Sequence, residues 1–506
     1  MSGVPRSVNI NRFRFYSNQE NGSKETGAAS MVKAEVGEEL DRSRIPQIIF
    51  ERHPEYVELY GKAWELAADH IYHNPGMPSP RYMGEGCNCG RIWIWDTCFM
   101  ALFCKYSAGY FPGMESLENL YQPIHDSALS DCKIHHVDNP PLFAWVEYEY
   151  AKFSGDLSRL ERVLAEKKYL QKHYELIERS LWGKRYPCGF CISKTQKFED
   201  KGFYWSGCSS GMDNTPRGNN SGYSILWVDL LAQQALSALY ISRLSEIIGD
   251  AETRKRFEAE YQQKKELLNT YYYDQQDGVY YDIYDVGFEP CRVLTPASYW
   301  PILAECATME QLERQIEFTM KPERLGGEFP LNSVSRDCRY YSPDGSYWRG
   351  GIWLPTCYMT IKSLERYGKL DLAADLSRRI IYFQYKVYRD VEPHTIWECY
   401  SPSRPYPATE KTGNLCRKDF CGWSALGPIS LLIENVIGLY DVNAFTRTVK
   451  LRRTKQGIHG IRNFRFADVT ADIIIFDDKI GITTDKPFTL EVNGRPFELK
   501  AGENEI

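Results

Sequence analysis

Apolar residues recur at helical spacing along most of the chain. Leu230, Leu231, Ala235, Leu236, Leu239 and Leu244 mark one face of a segment at 223–248. The same period predicts helices over 54–73, 95–108, 114–128, 141–153, 156–181, 251–272, 294–304, 309–320, 352–367, 370–389 and 422–439. These segments are of two kinds. Those at 156–181, 251–272 and 309–320 carry charge opposite the apolar stripe, as a helix with one side in water does. Those at 95–108, 223–240, 352–363 and 423–439 are apolar almost all round and need burial on every side. The two kinds tend to alternate. About twelve helices sorted this way predict concentric layers, apolar within and amphipathic without: an all-α (α/α)6 toroid over 46–440.

Beyond Leu439 the helical period is lost. Asp472–Asp477, Phe488–Val492 and Arg495–Leu499 read as strands, and Asn493-Gly494 between the last two is a hairpin turn signal. Residues 441–506 are therefore expected to form a small C-terminal β-sandwich-like domain. Residues 1–45, polar and aperiodic, are expected to be a flexible N-terminal tail. No short-period sequence repeat is present, so any repetition is architectural.

Composition narrows the partners. The net charge of −6 and the lack of a basic run speak against nucleic acid or an anionic membrane surface. No apolar stretch suffices to span a bilayer; Ile429–Leu439 is interrupted by Glu434 and Asn435. The first residues lack the order of a signal peptide, so the chain as written is expected in the cytoplasm, and in the periplasm or outside the cell if a leader precedes it. Fifteen scattered cysteines read as mostly free, buried thiols rather than a disulfide framework. Cys188-Gly-Phe-Cys191 has metal or redox spacing, and Cys87-Asn-Cys89 lies near Cys98 and Cys104, but neither set has a second pair at zinc-ribbon spacing. His125, His135 and His136 fit no ligand spacing. No metal and no cofactor is expected, and nothing in the sequence sets an oligomeric state.

The candidate chemistry lies at the front ends of the predicted apolar helices, in Arg91–Asp96, Phe143–Glu147, the loop around Asp213, Tyr347–Trp353 and Asp419–Ser424. Parallel inner helices would bring these ends to one face and line a pocket with Trp rings, two or three carboxylates and an Arg, the makeup of a small-molecule site. Asp213 stands in Ser210-Gly-Met-Asp-Asn-Thr-Pro-Arg217, a tight loop by its Gly, Ser, Asn and Pro content. It could instead cap a helix, but the next predicted helix starts ten residues later. Glu398, between Trp397 and the Tyr400 region in a loop, is set among rings that would favour its protonated form, as suits proton transfer. Its rival Glu392 sits in a charged stretch and reads as a surface acid. Two carboxylates flanking a bond are the arrangement of glycoside hydrolysis. Asp96 reads equally as a helix cap or as an ionised clamp on sugar hydroxyls beside Trp95. Arg349 could fork onto an oxygen or one of these acids. Trp348, Trp353 and Trp423 could line the site or pack helices together.

Four segments, in this order, resemble glycoside hydrolase family 63. Trp93-Ile-Trp-Asp-Thr97 is similar to its WDT segment and Ser210–Arg217 to its SGMDNSPR segment. Tyr347-Trp-Arg-Gly-Gly-Ile-Trp353 is similar to its YWRGPIW segment. Trp397-Glu-Cys-Tyr, Thr412-Gly413 and Phe420-Cys-Gly-Trp-Ser424 are similar to its E-x-Y, TG and FGWS region. The trehalases of family 37 share this layout. The resemblance, over roughly 80–440, implies an (α/α)6 catalytic domain and inverting hydrolysis of an α-glycosidic bond, in an α-glucoside or a glucosyl- or mannosylglycerate. It implies Asp213 as general acid and Glu398 as general base. Asp96 and Trp95 would hold the sugar that is cut, with Trp348, Arg349 and Trp353 lining the same subsite; Gly211 and Trp423, in the matched segments, are expected at the sugar too. Two departures bear on the substrate: Cys208-Ser209 stand where the family often has Trp-Glu, and Gly351 where it has Pro. The best-known members also carry their β domain at the N-terminus. Two other classes fit parts of the pattern. A sugar isomerase or epimerase on the same fold would favour His pairs in the pocket, and a non-catalytic glycan-binding protein would tolerate loss of either carboxylate.

Overall fold

The helices that are apolar on all sides lie inside. The computed structural model describes residues 34–86, 90–218 and 224–506. Every residue of Ile94–Cys104 and of Gly427–Ile437 is buried, as are nearly all of Val228–Ile247 and Leu354–Arg366. Ala251–Leu267, by contrast, buries only Phe257, Tyr261 and Lys264, and packs along Val228–Ile247 with its charged side outward. Leu370–Asp390 flanks Gly427–Ile437 in the same way.

The inner helices touch one another in chain order. Ile94–Cys104 packs on Phe143–Ser154, which packs on Val228–Ile247; that helix meets Trp300–Leu303, which meets Leu354–Arg366. Leu354–Arg366 then contacts Ser424–Leu426 and Gly427–Ile437, and both of these contact Ile94–Cys104. Rings fill the space between them. Trp300 lies edge-on to Trp95 and Trp145, with centroids 6.3 and 6.1 Å apart, and Trp145 stacks toward Tyr358 at 6.1 Å.

Proline and backbone geometry account for the differences from the expected helix bounds. The segment expected at 156–181 is divided, because Lys168 takes a left-handed φ of 55° between Arg162–Glu166 and Tyr169–Glu178. The segment at 294–304 is a 3-10 turn, Pro296–Tyr299, followed by the single helical turn Trp300–Leu303; Pro296 and Pro301 each sit at a start, where no amide hydrogen is needed.

Strands also occur where none was expected. Gln47–Phe50 pairs with His459–Arg462 and so enters a five-stranded sheet with His459–Phe466, Val469–Ile475, Ile480–Thr484 and Gly502–Glu505. Glu35–Val36 pairs with Tyr72 and His73. Of the span expected to be a tail, 1–45, Glu35–Val36 thus pairs with the body and 1–33 lie outside the described residues, while Gln47–Phe50 belongs to the span expected to be helical. A four-stranded sheet comprises Leu439–Asn443, Thr448–Leu451, Phe488–Val492 and Arg495–Leu499. The turn between the last two uses Asn493 and Gly494 at φ 49° and 83°, the pair of left-handed residues that a two-residue hairpin turn needs. The two sheets meet where Phe466 lies edge-on to Phe488, 5.4 Å away. Among the described residues, no helix is long and apolar enough to cross a membrane.

Candidate active site

The front ends of the inner helices converge. Ile94–Cys104, Val228–Ile247 and Leu354–Arg366 each begin after a tryptophan in extended conformation, Trp93, Trp227 and Trp353, with no side-chain cap of its own. Remote side chains take the first amides instead: Asn139 Oδ1 accepts from Trp95 N at 3.2 Å, and Asp282 Oδ1 from Val228 N at 2.9 Å. Asn139 also donates to the Ser209 carbonyl at 2.9 Å, which ties the Asp213 loop to the start of the Trp95 helix. Gly211 completes that join. Its φ is 78°, and a Cβ there would stand 3.0 Å from the Trp95 ring, so the position is closed to side chains on both counts.

Asp213 projects from this loop with 34% of its side chain open, and Lys411 Nζ lies 3.4 Å from its Oδ2. The surrounding protein desolvates the carboxyl and raises its pKa above the ordinary value, and the charge of Glu398 pushes the same way against Lys411 and Arg417. Asn214 holds the facing segment: its Nδ2 donates to Ser346 O at 2.9 Å, and its Oδ1 accepts from Trp348 N at 2.8 Å. Arg349 donates from Nε to the Asn214 carbonyl at 3.3 Å, and its guanidinium lies 5.8 Å from the Tyr340 ring.

Glu398 is 1% exposed. Its Oε1 accepts from Arg417 Nη2 at 2.9 Å and from Tyr347 OH at 3.3 Å, and its Oε2 accepts from Arg417 N at 3.3 Å. Trp423 Nε1 fixes the Glu398 carbonyl at 2.9 Å. Tyr347 reaches Glu398 from a left-handed backbone, φ 64°, which costs a residue with a side chain about 1–2 kcal/mol. Burial and the charges of Glu398 and Asp213 hold its phenol protonated, so it serves as a donor. Lys411 Nζ lies 5.2 Å from the centre of the Tyr347 ring, so Asp213, Lys411, Tyr347 and Glu398 form one contiguous group.

Arg417 also grips Glu85, Nη1 to Oε1 at 2.9 Å, and Glu85 shares a hydrogen bond with Asp96. Burial and the neighbouring Glu85 charge push Asp96 strongly toward its protonated form, while Arg417 keeps Glu85 ionised. Asp96 is thus pushed toward the neutral form within a carboxyl pair, where the sequence left a helix cap and an ionised clamp equally open. Its Oδ1 and the Trp95 indole nitrogen are buried without a hydrogen-bond partner. A small cavity beside the pair is lined by Tyr82, Glu85, Trp93, Asp96 and Met100; neither Asp213 nor Glu398 is in its wall.

Trp348 and Trp353 stack at 4.1 Å with planes 7° apart, and Trp423 lies 5.7 Å from Trp353. All three are buried, so they act as the packed backing of the site. Sequence reading missed Glu85, Tyr347, Arg417 and Lys411. Tyr347 opens the YWRG segment it had singled out, and Arg417 stands three residues before Phe420, so both lay beside recognised motifs. Lys411 directly precedes the Thr412-Gly413 motif, whereas Glu85 carried no local signal. A second group lies near Trp93: His135, His136 and Cys191 converge, and Cys87 and Cys89 lie outside the described residues.

Known proteins resemble this chain in sequence and fold. Residues 191–420 match the family described as Mannosylglycerate hydrolase MGH1-like glycoside hydrolase domain. An uncharacterized protein of Borreliella burgdorferi is 24% identical over 423 residues, 79% of this chain and 83% of that one. The mannosyl-oligosaccharide glucosidase of Saccharomyces cerevisiae is 24% identical over 304 residues, 54% of this chain and 35% of that one. The chain therefore spans about a third of that glucosidase. Among solved structures, the GH63 mannosylglycerate hydrolase from Thermus thermophilus superposes with a TM-score of 0.55 at 16% identity, over 74% of this chain and 99% of that one. A protein titled sialidase superposes with a TM-score of 0.68 at 13% identity, over 94% of this chain and 42% of that one. At these identities the structural likeness is one of fold. Together the matches show that this chain resembles glycoside hydrolases of family 63.

Proposed function

We propose that the chain hydrolyses an α-glycosidic bond with inversion, on an (α/α)6 toroid, with Asp213 as general acid and Glu398 as general base. The toroid reading rests on the closed cycle of contacts among the inner helical segments. The chemical reading is carried by one observation above the others: two carboxyl groups are linked through Lys411 and Tyr347, one set in surroundings that favour its proton and the other ion-paired with Arg417.

Asp213 donates its proton to the glycosidic oxygen as the bond breaks, and Lys411 then lies beside the carboxylate left behind. Glu398 takes the proton of the attacking water. A carboxylate offers about four acceptor sites, and Tyr347 and Arg417 occupy three on Glu398, two at Oε1 and one at Oε2. The remaining site at Oε2 serves the water. Attack from the face opposite the leaving group turns an α bond into a β product. The buried Trp95 indole nitrogen and Asp96 Oδ1, both without a hydrogen-bond partner, are a donor and an acceptor left over for the substrate's hydroxyls. The substrate class is a small α-glucoside or α-mannoside, including glycosylglycerates, in line with the names of the matched proteins. Incubation with α-linked disaccharides and glycosylglycerates, followed by proton NMR of the first product, should show the β-anomer. Release of the α-anomer would overturn inversion, and no release from the whole set would overturn the substrate class.

The same site makes a pH prediction. Asp213 must hold its proton to act, so activity falls as pH rises through its raised pKa. The Lys411 charge works against that rise. Lys411→Met removes it, and the alkaline limb of kcat should move to higher pH. A limb that stays in place or moves down would assign it to another group.

A further inference from the structure

His135, His136 and Cys191 meet although 54 residues separate the second from the third. The backbone brings them together. Ile134 and Gly189 form a parallel bridge, Phe190 N donates to the Ile134 carbonyl at 3.0 Å, and Cys191 N donates to the His135 carbonyl at 3.2 Å. Cys191 Sγ then lies 3.7 Å from His135 Nε2 and 3.8 Å from Nδ1. The two imidazoles stand edge to face, 4.4 Å apart, and the donor atoms of all three residues lie within 4.8 Å of one another. Ligands of a tetrahedral zinc ion, with Zn–S near 2.3 Å and Zn–N near 2.0–2.1 Å, stand about 3.6 Å apart. The His135–Cys191 pair already has that separation.

We propose that His135, His136 and Cys191 bind one zinc-type divalent cation, with water in the fourth position. Two imidazoles and a thiol form a nitrogen and sulfur set that selects borderline-soft ions over magnesium or calcium, which take oxygen donors. His136 is buried, and its Nδ1 lacks a hydrogen-bond partner; the nearest acid is Asp138, with Oδ1 at 3.9 Å. A carboxylate beside a ligating imidazole is the usual outer support of such a site. Asp138 is itself held fast, accepting from Lys194 N, Thr195 N and Thr195 Oγ1 at Oδ2 and from Ser209 Oγ at Oδ1. The cation therefore clips the 188–195 loop to the 135–138 segment, and Asp138 passes that brace to Ser209, four residues before Asp213. As the metal–sulfur bond forms, the Cys191 thiol gives its proton to solvent. Cys188, the other half of the Cys-x-x-Cys spacing, is not in the group.

The test uses the whole chain, stripped with EDTA and dialysed, then titrated with zinc by calorimetry and with cobalt by absorption. Wild type should take up one equivalent of zinc, and cobalt should produce a thiolate-to-metal charge-transfer band. Cys191→Ser should lose the band and weaken zinc binding by about 100-fold or more, whereas Cys188→Ser should keep both. Lack of saturable uptake by wild type would overturn the site without reference to any variant. A band that survives Cys191→Ser, or that disappears in Cys188→Ser, would overturn the ligand set. Because the readout is metal binding, its outcome is independent of the glycosidase assignment.

Discussion

Asp213→Asn should lower kcat by about a thousandfold on substrates whose leaving group is a sugar or an alcohol, with no loss of thermal stability. The leaving oxygen of such a substrate needs a proton, and the amide has none to give at neutral pH. Stability should hold because the carboxylate form is the one that burial disfavours, and the ion pair with the half-exposed Lys411 is worth little. The decisive comparison uses an α-glycosyl fluoride, whose fluoride departs with far less help. If Asp213 is the proton donor, the variant recovers most of its rate on the fluoride. Equal losses on both substrates would remove Asp213 from that role, and unchanged turnover would remove it from the chemistry.

Glu398→Gln should give the opposite pattern, a loss of about a thousandfold or more on the glycoside and the fluoride alike. Both reactions need the water to be deprotonated, so a better leaving group cannot compensate. This variant should also lose stability, by about 1.5–3 kcal/mol, because a buried charge-assisted hydrogen bond to Arg417 is weakened. Arg417 keeps Glu85 as its second partner, so the site should remain folded. Chemical denaturation checks the loss of stability, and turnover of the fluoride checks the loss of water activation. A Glu398→Gln enzyme that still hydrolyses the fluoride at the wild-type rate would show that another group activates the water.

The inner helices were legible because burial on every side leaves a plain mark: Ile94–Cys104 and Gly427–Ile437 have hardly a charged residue. Asp213 and Glu398 were legible because each is a lone acid among residues that favour loops. What remained hidden depends on distance in space. Glu85 and Arg417 lie 332 residues apart, and no local pattern announces that they share two hydrogen bonds. The neutral state of Asp96 was hidden for the same reason, since it follows from Glu85 beside it. The strand Gln47–Phe50 has only four residues, too few for alternation to declare itself. His135, His136 and Cys191 have no ligand spacing along the chain, because a backbone bridge between Ile134 and Gly189 assembles them.

The pairing of Phe50 with His459 has a consequence for how the chain is made. Synthesis runs from the amino end, so Gln47–Phe50 emerges from the ribosome about four hundred residues before its partner, at roughly 5–20 residues per second. For that whole interval its hydrogen-bonding edge is without the strand that will cover it. The helical body must grow around an early segment that stays extended and unclaimed, and the five-stranded sheet can close only when the last tenth of the chain arrives. Closure of so distant a contact carries only a slowly growing entropy cost with length, but it comes late. The carboxyl-terminal strands are thus the latch on a structure begun at the other end.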